Sequence, residues 1–497
     1  MTTNGSTVPW SKQVSVPRFT SKPINTPAVP PNPYMAPNNY SCMHIDSYQS
    51  DAATCAGPLG GNLLLQFMPL PGLCPTLTFN SQGQIITVAI GPADANGQQS
   101  RFLLLIDPVK QQILTSLTLP SGGGGGTSFG AGGYIYLDNN ENVVVPMVNG
   151  TICSYAVSGF QPMGPGGPVG SPSYSFVLGA TYTTGMSPAA SIQAAMPDYY
   201  GNLWFVASDD SNGYVGIAGS GSSPPIIMLI AGETIGNSFA VDETGVYVVS
   251  DYALYCLRKR ITNVNQGTST IMPVWRQPYD HGVRMKKGQK NFGSGTTPTL
   301  LDVGDEQYVA ITDNAAPQMN VVVCRREAGA SPRQVGAYPV FKPGMSDTEN
   351  SLIGAAGTFV VENNYGYVST IKPADTALPG GLTAVQVTSA SSASPALRPV
   401  WENDQLYVPS VVSKVSTVTG LIYTYSLKTY GGDNYYRWSI TAVDWQTGKE
   451  AFNVDAASAS STDHDPYDNH YSAMALNPVN GDLYVPLISG LLTLKQS

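Results

Sequence analysis

The richest run of chemically capable side chains is residues 463–470, which read Asp-His-Asp-Pro-Tyr-Asp-Asn-His and end at His470. The run offers three carboxylates and two imidazoles, and such groups bind divalent metal ions or act as a general acid and base. Its spacing matches no fixed metal-binding signature, so an ordinary solvated acidic loop is the alternative interpretation.

Other polar residues end strands that are otherwise apolar. Asp313 follows an apolar run at 306–312, and Glu362 and Asn364 follow another at 357–361. A buried carboxylate needs a cation, a hydrogen-bond donor or a ligand to remain in place, which makes these residues site candidates. The alternative is turn chemistry, because Asp and Asn side chains bond their own backbone at strand ends.

His44 belongs to a third polar region near the N-terminus, and Asp46 follows it two residues later. In an extended segment alternate side chains share a face, so we expect both residues on one side of the backbone. Nucleophilic catalysis has little support at this level, because no spacing ties a Ser or Cys to a histidine.

The elements that position these residues are indicated by a recurring phrase, a turn residue followed by a short β-branched or aromatic run. It occurs at 83–88, 142–145, 201–206, 245–249, 357–361, 420–425 and 481–485, with a weaker copy at 306–311. Self-similarity at a period of about 40–60 residues, without a helical period, is typical of radially repeated four-stranded sheets. The sequence therefore predicts an all-β, eight-bladed β-propeller of four-stranded antiparallel blades, with seven blades as the alternative.

The ends of the chain are predicted to close the ring. The last blade has only three strands, in the run from Tyr471 and at 482–486 and 491–494, and the missing outer strand is available at 62–67. Pairing them would leave no open sheet edge. Residues 1–61 are proline-rich and are predicted to form an irregular strap across the propeller surface, followed by a single propeller domain at 62–497.

In a propeller, the loops from outer strand to next inner strand, and from second to third strand, emerge on one face around the central channel. Side chains distant in sequence can converge there. The predicted catalytic residues are Glu349, Glu362, Asp313 and His470, and the predicted ligand-binding residues are Asn350, Asn364, His281, Arg284 and His44. We expect His281 and Arg284 to position an anionic group.

Residues 440–452, Ile-Thr-Ala-Val-Asp-Trp-Gln-Thr-Gly-Lys-Glu-Ala-Phe, resemble the blade motif A-x-D-x-x-T-G-x-x-x-W of quinoprotein-type (PQQ-like) repeats. In that motif the Asp and Thr side chains bond the turn backbone, Gly takes a positive φ, and the aromatic ring docks between blades. Here Phe452 replaces the Trp. The resemblance implies kinship in fold, but the chain lacks the adjacent Cys-Cys pair that many quinoprotein alcohol dehydrogenases place against the quinone.

Composition sets further limits on the function. The 497 residues are 42% hydrophobic and 11% charged, with a net charge of -9, which argues against nucleic-acid binding. The sequence contains no run of about 18 apolar residues, so it predicts no membrane-spanning helix. The N-terminus lacks the features of a secretory signal, so we expect a secreted or periplasmic location if a signal was removed and a cytoplasmic one otherwise.

The six cysteines show no zinc-binding spacing. Cys153, Cys256 and Cys324 lie in strand-like runs and are predicted to be buried free thiols. Cys42 and Cys55 lie in the strap, and a disulfide between them is left open.

Three functions follow from these observations. The leading hypothesis is a propeller that binds a small organic molecule at the channel mouth, with carboxylate and histidine acid–base chemistry of the lyase, isomerase or hydrolase type. The alternatives are a non-enzymatic scaffold for a protein or glycan and a quinoprotein-like oxidoreductase. No cofactor is the leading expectation, while PQQ or a divalent metal stays open, as does the oligomeric state.

Overall fold

The computed structural model describes residues 8–123, 130, 132–160, 163–164, 167–168, 173–263, 267–368, 379–388, 396–430, 435–458 and 465–497. Regular structure within these ranges is entirely β, which confirms the all-β prediction. Three strands precede the first blade: β1 (Trp10–Val16), β2 (Ala52–Ala53) and β3 (Gly61–Pro69). No helix in this part of the chain is long and apolar enough to cross a membrane.

Among the described residues, eight four-stranded antiparallel blades form the ring, each with its first strand innermost, and β1 and β2 each add a fifth strand to one blade. Blade 1 contains β4 (Leu77–Phe79), β5 (Ile85–Ala93), β6 (Gln98–Asp107) and β7 (Gln112–Gly123). Blade 2 contains β8 (Tyr136–Leu137), β9 (Val143–Pro146), β10 (Thr151–Phe160) and, after the small hairpin β11 (Met163–Gly164) and β12 (Gly167–Pro168), β13 (Ser173–Thr183). Blade 3 contains β14 (Ser191–Pro197), β15 (Leu203–Ser208), β16 (Asn212–Ile217) and β17 (Ile226–Ala231), and blade 4 contains β18 (Ala240–Asp242), β19 (Gly245–Val249), β20 (Ala253–Asn263) and β21 (Thr268–Pro278).

The other four blades complete the ring and confirm the eight-bladed prediction. Blade 5 contains β22 (Thr299–Val303), β23 (Glu306–Thr312), β24 (Asn320–Arg325) and β25 (Gln334–Pro339). Blade 6 contains β26 (Ile353–Ala355), β27 (Thr358–Glu362), β28 (Leu382–Val387) and β29 (Leu397–Asn403). Blade 7 contains β30 (Lys414–Ser416), β31 (Leu421–Tyr430), β32 (Tyr435–Asp444) and β33 (Glu450–Ser458), and blade 8 contains β34 (Ala475–Leu476), β35 (Leu483–Leu487), β36 (Gly490–Gln496) and β3.

The recurring phrase of the sequence corresponds to the turn between the first and second strands of a blade. In blade 3, Asp198 Oδ1 accepts the backbone N–H groups of Tyr200 and Asn202, both at 2.9 Å. Gly201 between them has φ 81°, a conformation that costs glycine least. The same side-chain turn forms at Asn80, Asp138 and Asp242. The copy of the phrase at 357–361 has no Asp or Asn among residues 352–356 and lacks it.

The ring closes as predicted, through antiparallel pairing of β3 with β36, in which Leu65 lies opposite Leu494. β1 then pairs with the outer edge of β3, with Lys12 opposite Leu65. The closing blade therefore has five strands, three from the C-terminal end and two from the N-terminal end. Closure removes the open seam that would otherwise expose unpaired backbone groups.

The strap crosses the first–second strand turns in its first pass, residues 22–36. Ala356 N, in the turn of blade 6, donates to Thr26 Oγ1 at 2.9 Å. Ala36 N donates to Leu137 O of blade 2 at 2.9 Å. This pass therefore lies along the face of the ring that carries these turns, and it runs over the surface as the predicted strap does.

The second pass, residues 40–55, returns against the innermost strands. Val241, Leu300 and Gly354 donate their backbone N–H groups to carbonyl oxygens of Ser47, Tyr48 and Ser50 at 2.8–2.9 Å. β2 then pairs in parallel with β30 of blade 7. Most of residues 41–53 are buried. The strap therefore enters the ring as well as crossing its surface, and it contains two strands; its separation from a propeller domain at residue 61 remains a prediction.

The turn at residues 444–448 has the geometry expected of the quinoprotein-type motif. Asp444 Oδ1 accepts Gln446 N at 2.9 Å, and Gly448 N donates to Asp444 O at 2.8 Å. Gly448 has φ 68°, and the Phe452 ring is buried in the core. Replacement of the motif's Trp by Phe452 therefore leaves the packing role of the aromatic residue in place.

All six cysteines are free thiols. Cys153, Cys256 and Cys324 are buried, which confirms the prediction for these three residues. Cys42 and Cys55 are half-buried and do not form the disulfide that the sequence left open.

Candidate functional site

Loops from neighbouring blades are bonded to one another around the channel. Asn364 N donates to Asp347 O at 2.8 Å, which joins the loop after β27 to the loop before β26. Gly366 N donates to Lys287 O at 2.7 Å, which adds the loop before β22. Segments far apart in sequence therefore form one continuous surface.

Four predicted residues meet on this surface and, with Asp347, form what we call the channel cluster: Asp347, Glu349, Asn350, Glu362 and Asn364. Asn364 Oδ1 accepts a hydrogen bond from the backbone N–H of Glu349 at 2.9 Å, and this bond fixes the two loops relative to each other. Asn350 Nδ2 donates to Glu362 Oε2 at 3.2 Å and to Val411 O at 2.8 Å. The other carboxyl oxygen of Glu362 accepts Ser413 N at 3.1 Å.

Burial raises the pKa values of the three carboxyl groups in the cluster. The pKa of Glu362 rises to about 7, opposed by its bonds from Ser413 and Asn350. The pKa of Asp347 also rises to about 7, opposed by the nearby ammonium of Lys286. Burial raises the pKa of Glu349 well above its ordinary value, and the neighbouring Asp347 adds to the shift. The cluster therefore exchanges protons near neutral pH.

Several buried oxygen atoms of this cluster accept no hydrogen bond from the residues the structure describes. They are Asp347 Oδ2, Glu349 Oε1 and Asn350 Oδ1. Buried polar atoms in proteins are nearly always paired, so each of these is an acceptor in need of a donor. These three atoms, on residues 347, 349 and 350 of one loop, make the channel cluster rich in unpaired acceptors.

His470 lies in a neighbouring group on the loop before β34. Tyr367 Oη donates to Asp468 Oδ2 at 2.7 Å and lies 3.2 Å from His470 Nδ1. Burial, with a smaller effect of Lys290, lowers the pKa of His470 to about 4, while burial raises that of Asp468 to about 7. The imidazole is therefore neutral at pH 7 and able to accept a proton. Asp463 and His464, from the same candidate run, lie outside the described residues.

His44 is buried beneath the cluster, in the second pass of the strap. Its Nδ1 is 3.0 Å from Asp51 Oδ2, and its Nε2 is 3.4 Å from Ser351 Oγ. Lys414 Nζ also contacts Asp51, and both side chains are at most 1% exposed. The segment is not extended, because Ile45 has φ 79°, so the expectation that His44 and Asp46 share one face of an extended strand is wrong.

Three predicted residues have other surroundings. Asp313 accepts Asn320 N and Nδ2, each at 2.7 Å, which is the turn chemistry named as its alternative. Burial raises its pKa, and Lys286 opposes the shift. His281 packs 4.2 Å from the Tyr252 ring, and Arg284 is exposed. That His281 and Arg284 position an anionic group remains a prediction.

Sequence reasoning missed Tyr367, Ser351 and Lys414. Tyr367 and Ser351 stand in loops and carry no distinguishing pattern. Lys414 had a signal, since it is a single lysine inside the apolar run at 411–416. A lysine at a buried strand position requires an acidic partner, and Asp51 is that partner.

Among the described residues, no group of three or more His, Cys, Asp or Glu side chains is arranged to hold a metal ion. The channel cluster does not fit PQQ, because the carboxylates of that cofactor would face Asp347 and Glu362, which repel them when ionised.

No family model matches this chain. A protein of Archaeoglobus fulgidus described as uncharacterised is 26% identical over 285 residues, 53% of this chain and 52% of that protein, so the match spans about half the length of the curated relative. A solved eukaryotic initiation factor is 10% identical with a TM-score of 0.37, covering 91% of this chain and 97% of its own. A quinoprotein alcohol dehydrogenase-like protein from Bacteroides thetaiotaomicron is 12% identical with a TM-score of 0.20, covering 52% and 64%. These likenesses concern the fold alone, which is also the level at which residues 440–452 resemble quinoprotein-type repeats.

Proposed function

We propose that this β-propeller binds a small polar organic molecule, rich in amino or hydroxyl donors, at the channel cluster. The observation that carries the proposal is the set of buried acceptor atoms without a donor, Asp347 Oδ2, Glu349 Oε1 and Asn350 Oδ1. A ligand that donates hydrogen bonds would satisfy them, whereas an anionic ligand would bring further acceptors and leave them unpaired.

The cluster is pre-organised for such a ligand. The Asn364 amide fixes the Glu349 backbone, and Asn350 is held between Glu362 and Val411 O. Side chains that are already bonded to neighbours lose little conformational entropy when a ligand binds. The proposed contacts therefore require little rearrangement of the loops.

Proton transfer is the chemistry that this site favours if the ligand is also a substrate. The pKa of Glu362, about 7, lets it donate or accept a proton near neutral pH. His470, whose pKa is lowered to about 4, would remain neutral near pH 7 and orient the ligand by a hydrogen bond. A carboxyl group and a neutral imidazole with these pKa values are the elements of the acid–base chemistry expected from the sequence.

The proposal is tested by a thermal-shift screen of small amines and polyols, followed by calorimetric titration of any compound that raises Tm. We expect Glu349→Gln and Glu362→Gln each to weaken binding about tenfold, the loss of about 1.4 kcal/mol that removal of one hydrogen bond produces. Glu243→Gln removes one carboxylate at an exposed turn and serves as the matched control. The proposal fails if no compound binds, or if affinity is unchanged in both cluster variants.

A further inference from the structure

The strap and the loop before β26 assemble a buried serine, histidine and aspartate that the ligand proposal does not use. We propose that Ser351 is a nucleophile activated by His44 and Asp51, and that it accepts the acyl group of a small neutral or cationic carboxylic ester. The nucleophile is inferred from its own geometry, whereas the preference for a neutral or cationic ester rests on the proposed function of the channel cluster.

The three side chains have the order and spacing of an activated serine. Ser351 Oγ lies 3.4 Å from His44 Nε2, and His44 Nδ1 lies 3.1 and 3.0 Å from the two carboxyl oxygens of Asp51. Nucleophile–base distances are often longer before substrate binds than during reaction. Such a triad is recognised by geometry and not by the order of its residues in the chain.

The bond to Asp51 fixes the tautomer of the imidazole. A carboxylate only accepts hydrogen bonds, so Nδ1 of His44 carries the proton and donates it to Asp51. In the neutral imidazole, Nε2 then presents its lone pair to the hydroxyl of Ser351, which donates. Lys414 also pairs with Asp51, so the three groups are electrically neutral together when the imidazole carries one proton. This is the state in which an imidazole can act as a base.

The strap backbone holds the base rigidly. Asp51 N donates to His44 O at 3.2 Å, which closes the loop that carries both residues. Gly354 N donates to Ser50 O at 2.8 Å, and Val415 N to Asp51 O at 3.0 Å. The loop is therefore fixed to the inner strands on either side of Ser351. Catalytic groups on such supports keep their relative positions to a fraction of an ångström.

The reaction balances with water as the second reactant. Ser351 Oγ bonds to the ester carbonyl carbon while His44 Nε2 takes the hydroxyl proton. The carbon–oxygen bond to the alcohol then breaks, and His44 returns the proton to the departing alkoxide. Water attacks the acyl-serine, gives one proton to His44 and releases the carboxylic acid, and the proton returns to Ser351 Oγ.

The carboxyl groups near Ser351 determine the charge of the ester that the site accepts. Asn350 adjoins Ser351 in sequence, and Glu362 lies within reach of Asn350. When it is ionised, the carboxyl group of Glu362 repels an anionic acyl or alcohol group and attracts a cationic one. A neutral probe is accordingly the least demanding test of the nucleophile itself.

The test is reaction of the full chain with diisopropyl fluorophosphate, followed by intact mass and peptide mapping. We expect one phosphoryl adduct, on Ser351, and none in Ser351→Ala. His44→Gln should slow labelling at least about 100-fold, the contribution of a general base. Ser294→Ala, which removes a buried hydroxyl bonded to Thr296, is the control and should label like the parent.

The outcomes of this labelling experiment test the Ser351 nucleophile independently of the proposed ligand site. If the folded chain acquires no adduct on Ser351, or if His44→Gln labels as fast as the parent, the activated serine is refuted. Peptide mapping of the parent protein answers the first question even if Ser351→Ala does not fold. The neutral probe requires no contact with Glu349, so labelling of Ser351 without any amine or polyol binding would refute the proposed function and retain the nucleophile.

Discussion

Glu362→Gln is expected to remove one pH-dependent contribution to the stability of the folded protein, the one made by the Glu362 carboxyl group of the channel cluster. The pKa of Glu362 is raised from 4.5 to about 7, so the folded protein holds this proton more tightly than the unfolded chain. Stability therefore falls as pH rises from about 4.5 to about 7. At about 1.4 kcal/mol per pH unit, the ionised carboxylate costs the folded state about 3 kcal/mol above pH 7.

The substitution removes this cost and introduces a smaller one. Ser413 N can still donate to the new carboxamide oxygen, but the new NH₂ group faces Asn350 Nδ2, which is also a donor. If Asn350 rotates its amide, its unpaired Oδ1 accepts the new donor and the bond to Val411 O is lost. One such bond contributes about 1 kcal/mol.

Parent and variant should therefore be about equally stable near pH 5, and the variant about 2 kcal/mol more stable at pH 8. The measurement is urea unfolding at pH 5, 6, 7 and 8, after refolding has been shown to be complete. Other buried carboxyl groups titrate in both proteins, so the difference isolates Glu362. A difference that varies by less than about 0.5 kcal/mol across this range, or an equal change in Glu243→Gln, would refute the reasoning.

Two further predictions concern the strap. Lys414→Met leaves Asp51 buried without its ammonium partner and should cost about 3–5 kcal/mol in urea unfolding; a loss below about 1 kcal/mol would show that the pair is not what holds the strap. Gly420→Ala would place a Cβ 2.1 Å from Lys22 O at a residue with φ 74°, and should cost at least about 2 kcal/mol and expose the strap to limited proteolysis. Gly304→Ala, at φ 61° with no atom within 4 Å, should cost only about 1 kcal/mol; equal losses in the two variants would contradict the clash with the strap.

The fold was predictable because its signals are local. The turn built on Asp198 and Gly201 needs only four or five neighbouring residues, so its repetition along the chain predicts the blades. Ring closure followed from counting strands, since a last blade with three strands needs a fourth from elsewhere. Glu349 and Glu362 were predicted because they occupy loops that the propeller architecture directs to one face.

The path of the strap and the partners inside the ring could not be predicted in this way. The strap is bonded through its backbone carbonyl groups to inner strands of several blades, and backbone bonds leave no pattern in the side chains. His44 meets Ser351 across 307 residues, a contact with no sequence period. His281 and Arg284 lie in the long connection between β21 and β22, whose conformation is set by packing against neighbouring loops.

The position of the strap has a consequence for the order in which the protein is made. β2 and β3 are synthesised before the blades, and their partners β30 and β36 follow more than 350 residues later. Until those partners are made, β2 and β3 have unpaired edges, and the segment that must lie within the ring has no complete ring to enter. Final structure therefore depends on contacts more than 350 residues apart, such as Lys414 with Asp51, and the nascent chain has to be kept from pairing elsewhere in the meantime.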